Sequence, residues 1–503
     1  MKIDADLART FPPEMIYRIK FFPVDWKNGR LEVAMVDPEN PLFREEIETF
    51  IGAKILPLKI SEEEFDEEIR RIDLVKGVLE EASEEFAGDE LMEVGEEEVS
   101  VETLTLQESS IVKLVNSIVF SAVHRGASDI HIEATDKNVK VKYRIDGVLY
   151  PAMEPIHKKF HSGIISRIKV MADLDIAEKR IPQDGRFQLR IKGKKIDFRV
   201  SILPGSHGEE CVIRILDKEH LAASFKELTL DKLGFDEDIV KKIRKHIRLP
   251  YGMFLVTGPT GSGKTTTLYA ALNEIVTEEE KIITIEDPVE YTVPGVLQIP
   301  VNEKKGLTFA RGLRSILRHD PDRIMVGEIR DPETAEIAVQ AALTGHLVMT
   351  TVHANNVFDV ISRFVHMGID LHSLVSALNA VLAQRLVRKL CENCKVETKY
   401  SPEVLEDNGL DPKVYSKHTF YKPGGCEFCN HTGYRGRMAI GEFLELSDSI
   451  KEMIVDRKPA RLIKNEARKQ GMKFIREKGM KRVLEGITSL EELNKVSFAS
   501  LEK

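Results

Sequence analysis

The chain has little tryptophan, little cysteine and no long hydrophobic run. Its 503 residues include one Trp and five Cys, so the expected cores rest on aliphatic side chains and on the 22 Phe. No apolar stretch reaches the roughly 18 residues that a membrane-spanning helix needs, and the N-terminal residues lack the apolar segment of a signal peptide. These absences predict a cytoplasmic protein whose membrane role, if it has one, is indirect and goes through partners.

An excess of basic residues is absent as well. The sequence has 73 Lys and Arg against 82 Asp and Glu, which gives a formal net charge of -9. This balance argues against a general nucleic-acid-binding protein. With 42% hydrophobic residues, the chain can build about three or four folded domains.

Lys and Arg are missing altogether from residues 80–108, a segment that is rich in Asp and Glu. A block of like charges repels itself and resists collapse. Residues 79–108 are therefore predicted to form an acidic flexible linker. An acidic docking segment is the alternative interpretation.

Four of the five cysteines form two C-x-x-C pairs, Cys391 with Cys394 and Cys426 with Cys429, and Cys211 stands alone. In a reducing compartment such pairs indicate metal ligands rather than disulfides. Four thiolates complete the tetrahedral shell of Zn²⁺, so a closed structural zinc site is predicted. The alternative is four unrelated buried cysteines.

The segment Gly258-Pro-Thr-Gly-Ser-Gly-Lys264-Thr265 matches the phosphate-binding pattern G-x-x-x-x-G-K-[ST]. An apolar strand is predicted before it at residues 252–257, and a helix after it at 266–279. This order places backbone N–H groups and a helix N-terminus around a phosphate. Lys264 can then reach the β- and γ-phosphates, and the Thr265 hydroxyl can bind Mg²⁺. A chance glycine-rich turn is the alternative. The predicted nucleotide-binding residues are Gly258, Pro259, Thr260, Gly261, Ser262, Gly263, Lys264, Thr265 and Thr266.

Acidic residues follow two further apolar stretches. Glu328 comes after the predicted strand that starts at Arg323, and Glu286 and Glu290 follow a strand at residues 282–285. Ligands of parallel α/β sheets lie at the carboxyl ends of strands. Glu328 is thus a candidate water-activating base, and Glu286 and Glu290 are candidates for holding Mg²⁺ or its waters. The alternatives are a surface acid for Glu328 and helix capping for the other two.

Two histidines, His346 and His353, flank another predicted strand. Both are candidates for sensing the γ-phosphate, although a lone His is more often a hydrogen-bonded structural residue. Candidate arginines are also present. Arg314 and Arg318 share a helix face, while Arg199 and Arg214 belong to strands of the preceding domain. The residues alone do not decide which arginine stabilises phosphate charge.

Changes in composition and periodicity divide the chain into six segments. They are a small α/β domain (1–78), the acidic linker (79–108), a second α/β domain (109–220), the phosphate-binding domain (221–387), a four-cysteine subdomain (388–440) and a helical C-terminal subdomain (441–503). Strands are predicted at 30–36, 54–60, 139–144, 187–191, 196–202 and 211–216, and helices at 43–51, 62–72, 111–124 and 160–172.

These residues resemble the secretion ATPases that power type II secretion and type IV pilus assembly. Four sequence boxes carry the resemblance in order: the phosphate loop at 258–265, an aspartate box at 285–290, a strand-plus-glutamate box at 324–328 that continues to 331, and a histidine box at 344–353. The stretches 127–133, 175–180, 182–186 and 203–209 are similar to the second N-terminal domain of that family.

The resemblance implies an α/β multidomain protein with a RecA-like P-loop core, a PAS-like second N-terminal domain and a zinc insert, assembled as a homohexamer. It implies that Glu328 is the catalytic acid, that Glu286 and Glu290 assist the metal or water, and that His353 belongs to the active site. It also implies that Arg199 and Arg214 move onto the γ-phosphate. The first domain resembles a module that docks on an inner-membrane platform.

Several functions remain open at this point. The leading one is a motor ATPase for pseudopilin assembly in type II secretion, which the compact first domain favours, and the alternative is type IV pilus extension. The four-cysteine insert resembles that of secretion and extension enzymes, whereas pilus-retraction relatives usually lack it. A DNA-translocating RecA-like ring is disfavoured by the net charge, and a non-catalytic nucleotide-gated scaffold by intact Lys264, Thr265 and Glu328.

Overall fold

The computed structural model describes residues 7–8, 10–11, 13–27, 29–62, 64–65, 101–191, 194–217 and 228–497. The chain divides into two compact units, residues 1–219 and 220–503. Most of the predicted acidic linker, residues 79–100, lies outside the described residues. No helix in the described ranges combines the length and the apolar character that crossing a bilayer requires.

The first unit starts with a small α/β domain. Strands β1 (Phe21–Lys27), β2 (Arg30–Met35) and β3 (Ile55–Lys59) form its sheet, and helices α1 (Pro13–Ile19) and α2 (Pro41–Ile51) accompany it. β2 pairs antiparallel with β1 and parallel with β3. Helix α2 begins where Asn40 accepts a 3.1 Å hydrogen bond from the Leu42 N–H, and it ends at Gly52 in a left-handed conformation. Strand β1 was not predicted, whereas the strands at 30–36 and 54–60 are confirmed within one residue at each end.

The second domain of this unit is a long helix and an antiparallel sheet. Its elements are α3 (Val101–His124), β4 (Asp129–Ala134), β5 (Asn138–Ile145), β6 (Val148–Pro151), β7 (Ile156–His157), α4 (His161–Met171), β8 (Gln183–Ile191), β9 (Lys194–Gly205) and β10 (Gly208–Leu216). The sheet order is β6-β5-β4-β10-β9-β8, with β7 beside β5. One face packs with α3 and α4 into an apolar core. Its other face carries charged side chains.

Helix α3 begins earlier than the sequence predicted. Its first residue, Val101, lies inside the segment that composition assigned to the flexible linker. The acids thin out from this point, and apolar residues return at Leu104 and Leu106. The end of the predicted linker at 101–108 is therefore helical.

The second unit contains a seven-stranded sheet with helices on both sides. Its strands are β11 (Gly252–Thr257), β12 (Ile282–Glu286), β13 (Val296–Pro300), β14 (Arg323–Val326), β15 (Leu347–Val352), β16 (Leu378–Leu390) and β19 (Tyr434–Glu445). Its helices are α5 (Glu237–His246), α6 (Lys264–Ile275), α7 (Phe309–Ile316), α8 (Pro332–Leu343), α9 (Asp359–His366) and α10 (Leu371–Ala377). Further along the chain lie β17 (Val396–Thr398), α11 (Pro402–Asp407), α12 (Pro412–Tyr415), β18 (Phe420–Lys422), α13 (Asp448–Val455), α14 (Ala460–Lys469), α15 (Ile475–Leu484) and α16 (Leu490–Val496).

The order of the large sheet is β13-β12-β14-β15-β11-β16-β19. All neighbours are parallel except β16 and β19. Alternate residues of β11 enter different cores: Met253 and Leu255 pack on one face, and Phe254 and Val256 on the other. The sheet is therefore buried on both faces, as parallel sheets are.

The strand pair β16–β19 runs through the predicted domain boundaries at 387/388 and 440/441. Leu390 is the register partner of Tyr434, at the end of the pair. The cysteine-containing insert thus occupies residues 391–433. The composition gave no sign that each strand continues across the boundary, because apolar residues are common on both sides.

Candidate active site

The phosphate loop lies between β11 and α6, as predicted. Gly258 and Gly263 adopt positive φ values of 152° and 85°, which favour glycine. A Cβ atom at Gly258 would come within 2.6 Å of the main-chain oxygen of Gln384. The loop therefore needs glycine both for its conformation and for its close contact with β16.

Lys264 is buried at the start of α6. Its Nζ donates hydrogen bonds of 3.0 and 3.1 Å to the carbonyl oxygens of Gly258 and Pro259. Burial lowers the pKa of this ammonium, Glu328 opposes the shift, and the charge of Arg385 adds to it. A phosphate oxygen would offer Lys264 a charged acceptor, which binds an ammonium more strongly than a neutral carbonyl does.

Glu328 follows β14 at the carboxyl edge of the sheet. The Gly327 carbonyl before it accepts a 2.8 Å hydrogen bond from Thr351 Oγ1, which fixes the turn against β15. One carboxylate oxygen of Glu328 pairs with Arg330. The other lies 3.4 Å from His353 Nε2. The structure thus brings together Glu328 and His353, which the sequence had placed in separate boxes.

The two histidines lie at opposite ends of β15. In the parallel register, Gly252 pairs with Leu347 and Thr257 with Val352. The phosphate loop follows Thr257, so His353 lies at the same edge as the loop. His346 precedes the strand and lies about 23 Å from His353, at 3.3 Å per residue. The expectation that both histidines adjoin one site is wrong for His346.

Glu286, the last residue of β12, is almost fully buried at the carboxyl edge of the sheet. Its carboxylate accepts hydrogen bonds from the hydroxyls of Tyr269 and Thr284 and a 3.0 Å bond from Gln298 Nε2. Burial raises the pKa of the Tyr269 phenol, and the hydrogen bond to Glu286 adds to the shift. Tyr269 therefore stays protonated and donates its hydrogen bond.

A small cavity of about 60 Å³ joins the phosphate loop to these acids. Thr265, Glu286, Glu290 and Glu328 all contribute to its wall. Hydroxyl and carboxylate oxygens are the ligands that Mg²⁺ prefers. The chemistry of the wall therefore fits Mg²⁺ bound beside a nucleotide phosphate.

Gln384 is a functional candidate that the sequence analysis missed. It is completely buried in β16, where its Nε2 donates a 2.7 Å hydrogen bond to the Ser262 carbonyl. Its Oε1 accepts a 2.9 Å bond from Thr267 Oγ1 in the first turn of α6. The available signal was a polar pair, Gln384 with Arg385, inside an otherwise apolar strand.

The four predicted zinc ligands form one cluster, in which all four Sγ atoms lie within 4.8 Å of one another. The separations are 3.9 Å for Cys391–Cys426, 3.7 Å for Cys394–Cys429 and 3.8 Å for Cys426–Cys429. Four sulfurs at about 2.3 Å from a tetrahedral Zn²⁺ lie about 3.8 Å apart. The spacing therefore fits zinc.

Main-chain N–H groups point at the cluster. Gly425 donates to Cys394 Sγ at 3.2 Å, and Cys426 and Gly433 donate to Cys429 Sγ at 3.3 and 3.2 Å. Burial opposes ionisation of Cys429, but the N–H groups of Cys426 and Gly433 and the hydrogen bonds with the thiols of Cys394 and Cys426 outweigh it and lower the pKa of Cys429 to about 7. At Cys394 burial dominates and raises the pKa, against the N–H of Gly425. Such bonds stabilise thiolates, the form in which cysteine binds metal.

Arg199 and Arg214 belong to the first unit, on neighbouring strands β9 and β10. They are direct register partners, and both are exposed. Arg214 Nε donates a 2.9 Å hydrogen bond to Asp129. In the second unit, Arg314 instead forms an ion pair with Glu333, and Arg318 donates to the Arg314 carbonyl.

Comparison with known proteins gives the family of the chain. Residues 105–495 match the family described as type II/IV secretion system protein, and residues 1–77 match the MshEN domain. The chain is 42% identical over 495 residues to the type IV pilus assembly ATPase PilB of Myxococcus xanthus (strain DK1622), covering 98% of this chain and 86% of that protein. It is 47% identical over 401 residues to the type II secretion system ATPase E of Vibrio cholerae serotype O1, covering 78% of this chain and 76% of that protein.

A solved structure shows the same fold. The ATPase DotB of Legionella pneumophila aligns with a TM-score of 0.51 at 19% identity, covering 80% of this chain and 98% of that chain. The phosphate loop and the acids at the carboxyl edge of the sheet define the class of the protein, a P-loop ATPase. The chain belongs to the type II/IV secretion system protein family, whose members hydrolyse ATP. The predicted family is thereby confirmed.

Proposed function

We propose that this ATPase is a hexameric cytoplasmic motor that couples ATP hydrolysis to pseudopilin assembly for type II protein secretion. The observation that carries the catalytic part is the cavity shared by Thr265 of the phosphate loop and Glu328. A base that adjoins the phosphate loop is placed to act on a water molecule near the γ-phosphate. ATPases of this family act as oligomeric motors with membrane machinery, which supports the wider proposal.

In the proposed chemistry, the Glu328 carboxylate accepts a proton from the attacking water. Lys264 binds the oxygens of the β- and γ-phosphates, and the loop N–H groups hold the β-phosphate. The nucleotide-binding set is the one predicted: Gly258, Pro259, Thr260, Gly261, Ser262, Gly263, Lys264, Thr265 and Thr266. His353 orients Glu328, because its Nε2 lies 3.4 Å from the carboxylate.

The proposed Mg²⁺ ligand is the Thr265 hydroxyl, with Glu286 and Glu290 holding the surrounding water. Mg²⁺ neutralises charge on the phosphates during transfer. Glu290 is half-exposed and can reach solvent. Glu286 is held by three hydrogen bonds, so its part is to fix the shape of the cavity wall rather than to move.

The remaining parts of the proposal concern assembly. Arg199 and Arg214 stabilise the γ-phosphate when their domain, which we assign as PAS-like, closes on a nucleotide. The N-terminal domain docks on an inner-membrane platform, so the enzyme is recruited peripherally. A structural Zn²⁺ bound by Cys391, Cys394, Cys426 and Cys429 holds the insert.

Type IV pilus extension is the second candidate, because relatives with both names match this chain at similar identity. Coverage does not separate the two, since a relative of each name covers 98% of this chain. A deletion strain of the source organism distinguishes the two. Loss of exported enzymes with normal pili supports secretion, and loss of pili with normal export supports pilus extension.

The catalytic proposal is tested with Glu328→Gln. This variant should bind ATP normally and lose turnover by about 10²–10⁴-fold, because an amide cannot accept the proton. Glu336→Gln, at an exposed position of α8, is the matched control. Lys264→Ala should lose nucleotide binding itself. Turnover near the wild-type rate in Glu328→Gln would show that another group is the base.

A further inference from the structure

Three arginines lie side by side across the sheet of the second domain. Arg186 on β8 is the register partner of Arg199 on β9. Arg199 is in turn the register partner of Arg214 on β10. Directly opposed residues of antiparallel strands project from the same face with Cβ atoms about 5 Å apart. The three side chains, which we call the arginine row, therefore start within about 10 Å of one another.

The arginine row lies on the solvent face of this sheet. All three arginines are exposed, while their strand neighbours Phe198 and Val200 point into the apolar core. Like charges directly opposite each other on a sheet are destabilising. An unrelieved row of three is therefore a costly arrangement for a purely structural surface.

A carboxylate offsets the repulsion between like charges at only one end of the arginine row. Asp129 on β4 is the register partner of Arg214 and accepts the 2.9 Å bond from its Nε. Among the described residues, neither Arg186 nor Arg199 forms an ion pair with a carboxylate. The row therefore carries an excess of positive charge.

The contact with Asp129 also orients Arg214. Asp129 is 5% exposed, and its second oxygen accepts a 2.8 Å bond from Ser128 Oγ. A buried, fixed carboxylate that binds Nε holds the guanidinium from its side and leaves the end-on pair of terminal N–H donors available. Those nitrogens are the donors that bind a planar or tetrahedral oxyanion in a bidentate manner.

A broad groove runs over the arginine row, with a volume of about 590 Å³. Besides the three arginines, its wall includes Asp184 and Ser201, which form the next row of the sheet. The open, shallow shape of the groove suits a multiply charged anion, since an uncharged ligand would gain little from such an exposed site.

We propose that Arg186 is a third phosphate-binding arginine and that Asp129 is the positioning residue for Arg214. The three side chains of the arginine row together bind the terminal phosphoryl group of the nucleoside triphosphate. This inference rests on the proposed function of Arg199 and Arg214 and extends it. The Arg186 guanidinium adds a further bidentate pair of donors to those that Arg199 and Arg214 offer to the oxygens of a transferred phosphoryl group.

Arg186→Ala tests the third arginine, with Arg190→Ala as the matched control. Arg190 is exposed on the same face of β8, about 13 Å along the strand. We expect Arg186→Ala to lower turnover by about 10-fold or more. Affinity for ADP with aluminium fluoride, which mimics the transferred phosphoryl group, should fall by a similar factor while affinity for ADP alone is unchanged. Arg186→Lys should recover only part of the loss, since lysine cannot bind bidentately.

The arginine variants distinguish the role of Arg186 from the proposed role of Arg199 and Arg214. If Arg186→Ala behaves like Arg190→Ala while Arg199→Ala and Arg214→Ala lose turnover, the third arginine is overturned and the proposed function stands. If all three arginine variants turn over normally, the proposed role of this domain in hydrolysis is overturned as well.

Asp129→Asn tests the positioning residue. Asparagine keeps an acceptor for Arg214 but removes the charge, so affinity for ADP with aluminium fluoride should fall by about 3- to 10-fold with ADP affinity unchanged. Combined with Arg214→Ala, the substitution should have no further effect. A fall in thermal stability with an unchanged ratio of the two affinities, or a full additional loss in the double variant, would overturn the positioning role.

Discussion

The side-chain amide of Gln384 donates a 2.7 Å hydrogen bond to the main-chain carbonyl of Ser262, inside the phosphate loop. The same amide accepts a bond from Thr267 at the start of α6. One buried side chain of β16 thus holds both ends of the turn from loop to helix. The shape of the loop depends on the strand beside β11 as well as on its own glycines.

Gln384→Ala should therefore weaken nucleotide binding without touching a nucleotide. The substitution leaves the Ser262 carbonyl and the Thr267 hydroxyl buried without this partner, at about 1–3 kcal/mol each. We expect a lower melting temperature and an affinity for ADP that is weaker by about 10-fold, measured by calorimetry. Gln470→Ala, at an exposed glutamine of the same unit, should change neither. Unaltered ADP affinity in Gln384→Ala would mean that the glycines alone shape the loop.

Substitution of the two histidines that flank β15 should have different effects on kcat. His353→Ala removes the ring next to Glu328 and should lower kcat by about 10-fold or more while ADP affinity is kept. His346→Ala, at the opposite end of the strand, should turn over at the wild-type rate. Equal losses in both variants would contradict the assignment of His353 to the site, since they would indicate a shared effect on folding.

The cysteine cluster should carry about one zinc ion per chain. Elemental analysis of protein purified without chelator should show it, and Cys391→Ser with Cys394→Ser should abolish it. Limited proteolysis of that double variant should cut within residues 391–433, because a structural zinc site contributes folding energy to its surroundings. Cys211→Ala is the control, as Cys211 is buried in the apolar core of the first unit. Wild-type protein without zinc would contradict the site.

A buried ion pair predicts how stability depends on pH. Arg388 of β16 and Glu492 of α16 are 4% and 5% exposed, with bonds of 2.8 and 2.6 Å between them. Burial alone would raise the pKa of Glu492, but Arg388 outweighs it and lowers the pKa below its usual 4.5. A carboxyl group whose pKa is lower in the folded protein than in the unfolded chain stabilises the folded state at any pH above its unfolded pKa. This stabilisation is lost as the pH falls through the pKa of the folded protein.

Glu492→Gln should accordingly lower the free energy of unfolding by about 3–5 kcal/mol at pH 7, because it leaves a buried guanidinium without its counter-ion. The difference in free energy of unfolding between variant and wild type should become smaller below about pH 4.5. Urea titrations at several pH values measure this difference. Glu237→Gln, which removes an exposed pair with Lys241, should cost less than about 1 kcal/mol. If the difference in free energy of unfolding does not change with pH, the substitution has removed packing rather than a charge interaction.

Features that depend on a short local pattern could be predicted from the sequence. The phosphate loop, Glu328 after its strand and the two C-x-x-C pairs are each set by residues within about a dozen positions of one another. The strands of the second domain were equally legible, because apolar and polar residues alternate along each of them. In each case, the physical signal lies in neighbouring residues.

Features that depend on residues far apart in sequence could not be predicted. Gln384 acts on Ser262 across 122 positions, and Glu492 finds Arg388 across 104. His346 was misplaced because proximity in sequence to His353 says nothing about which end of a strand faces the site. The arginine row required the register of three strands, which the alternation of apolar residues does not fix.

The pairing of Leu390 with Tyr434 has a consequence for how this chain could have been assembled. Residues 391–433 leave and re-enter the sheet at adjacent points, so the whole insert replaces what would otherwise be a hairpin turn between β16 and β19. The insert still shares a core with its surroundings, because its Leu405 and Phe420 pack in one apolar cluster with Val387 of β16 and with helices α15 and α16. An insert that entered at this turn has thus become part of the fold. A short turn in its place should keep β16 and β19 connected but leave α15 and α16 without part of their apolar contacts.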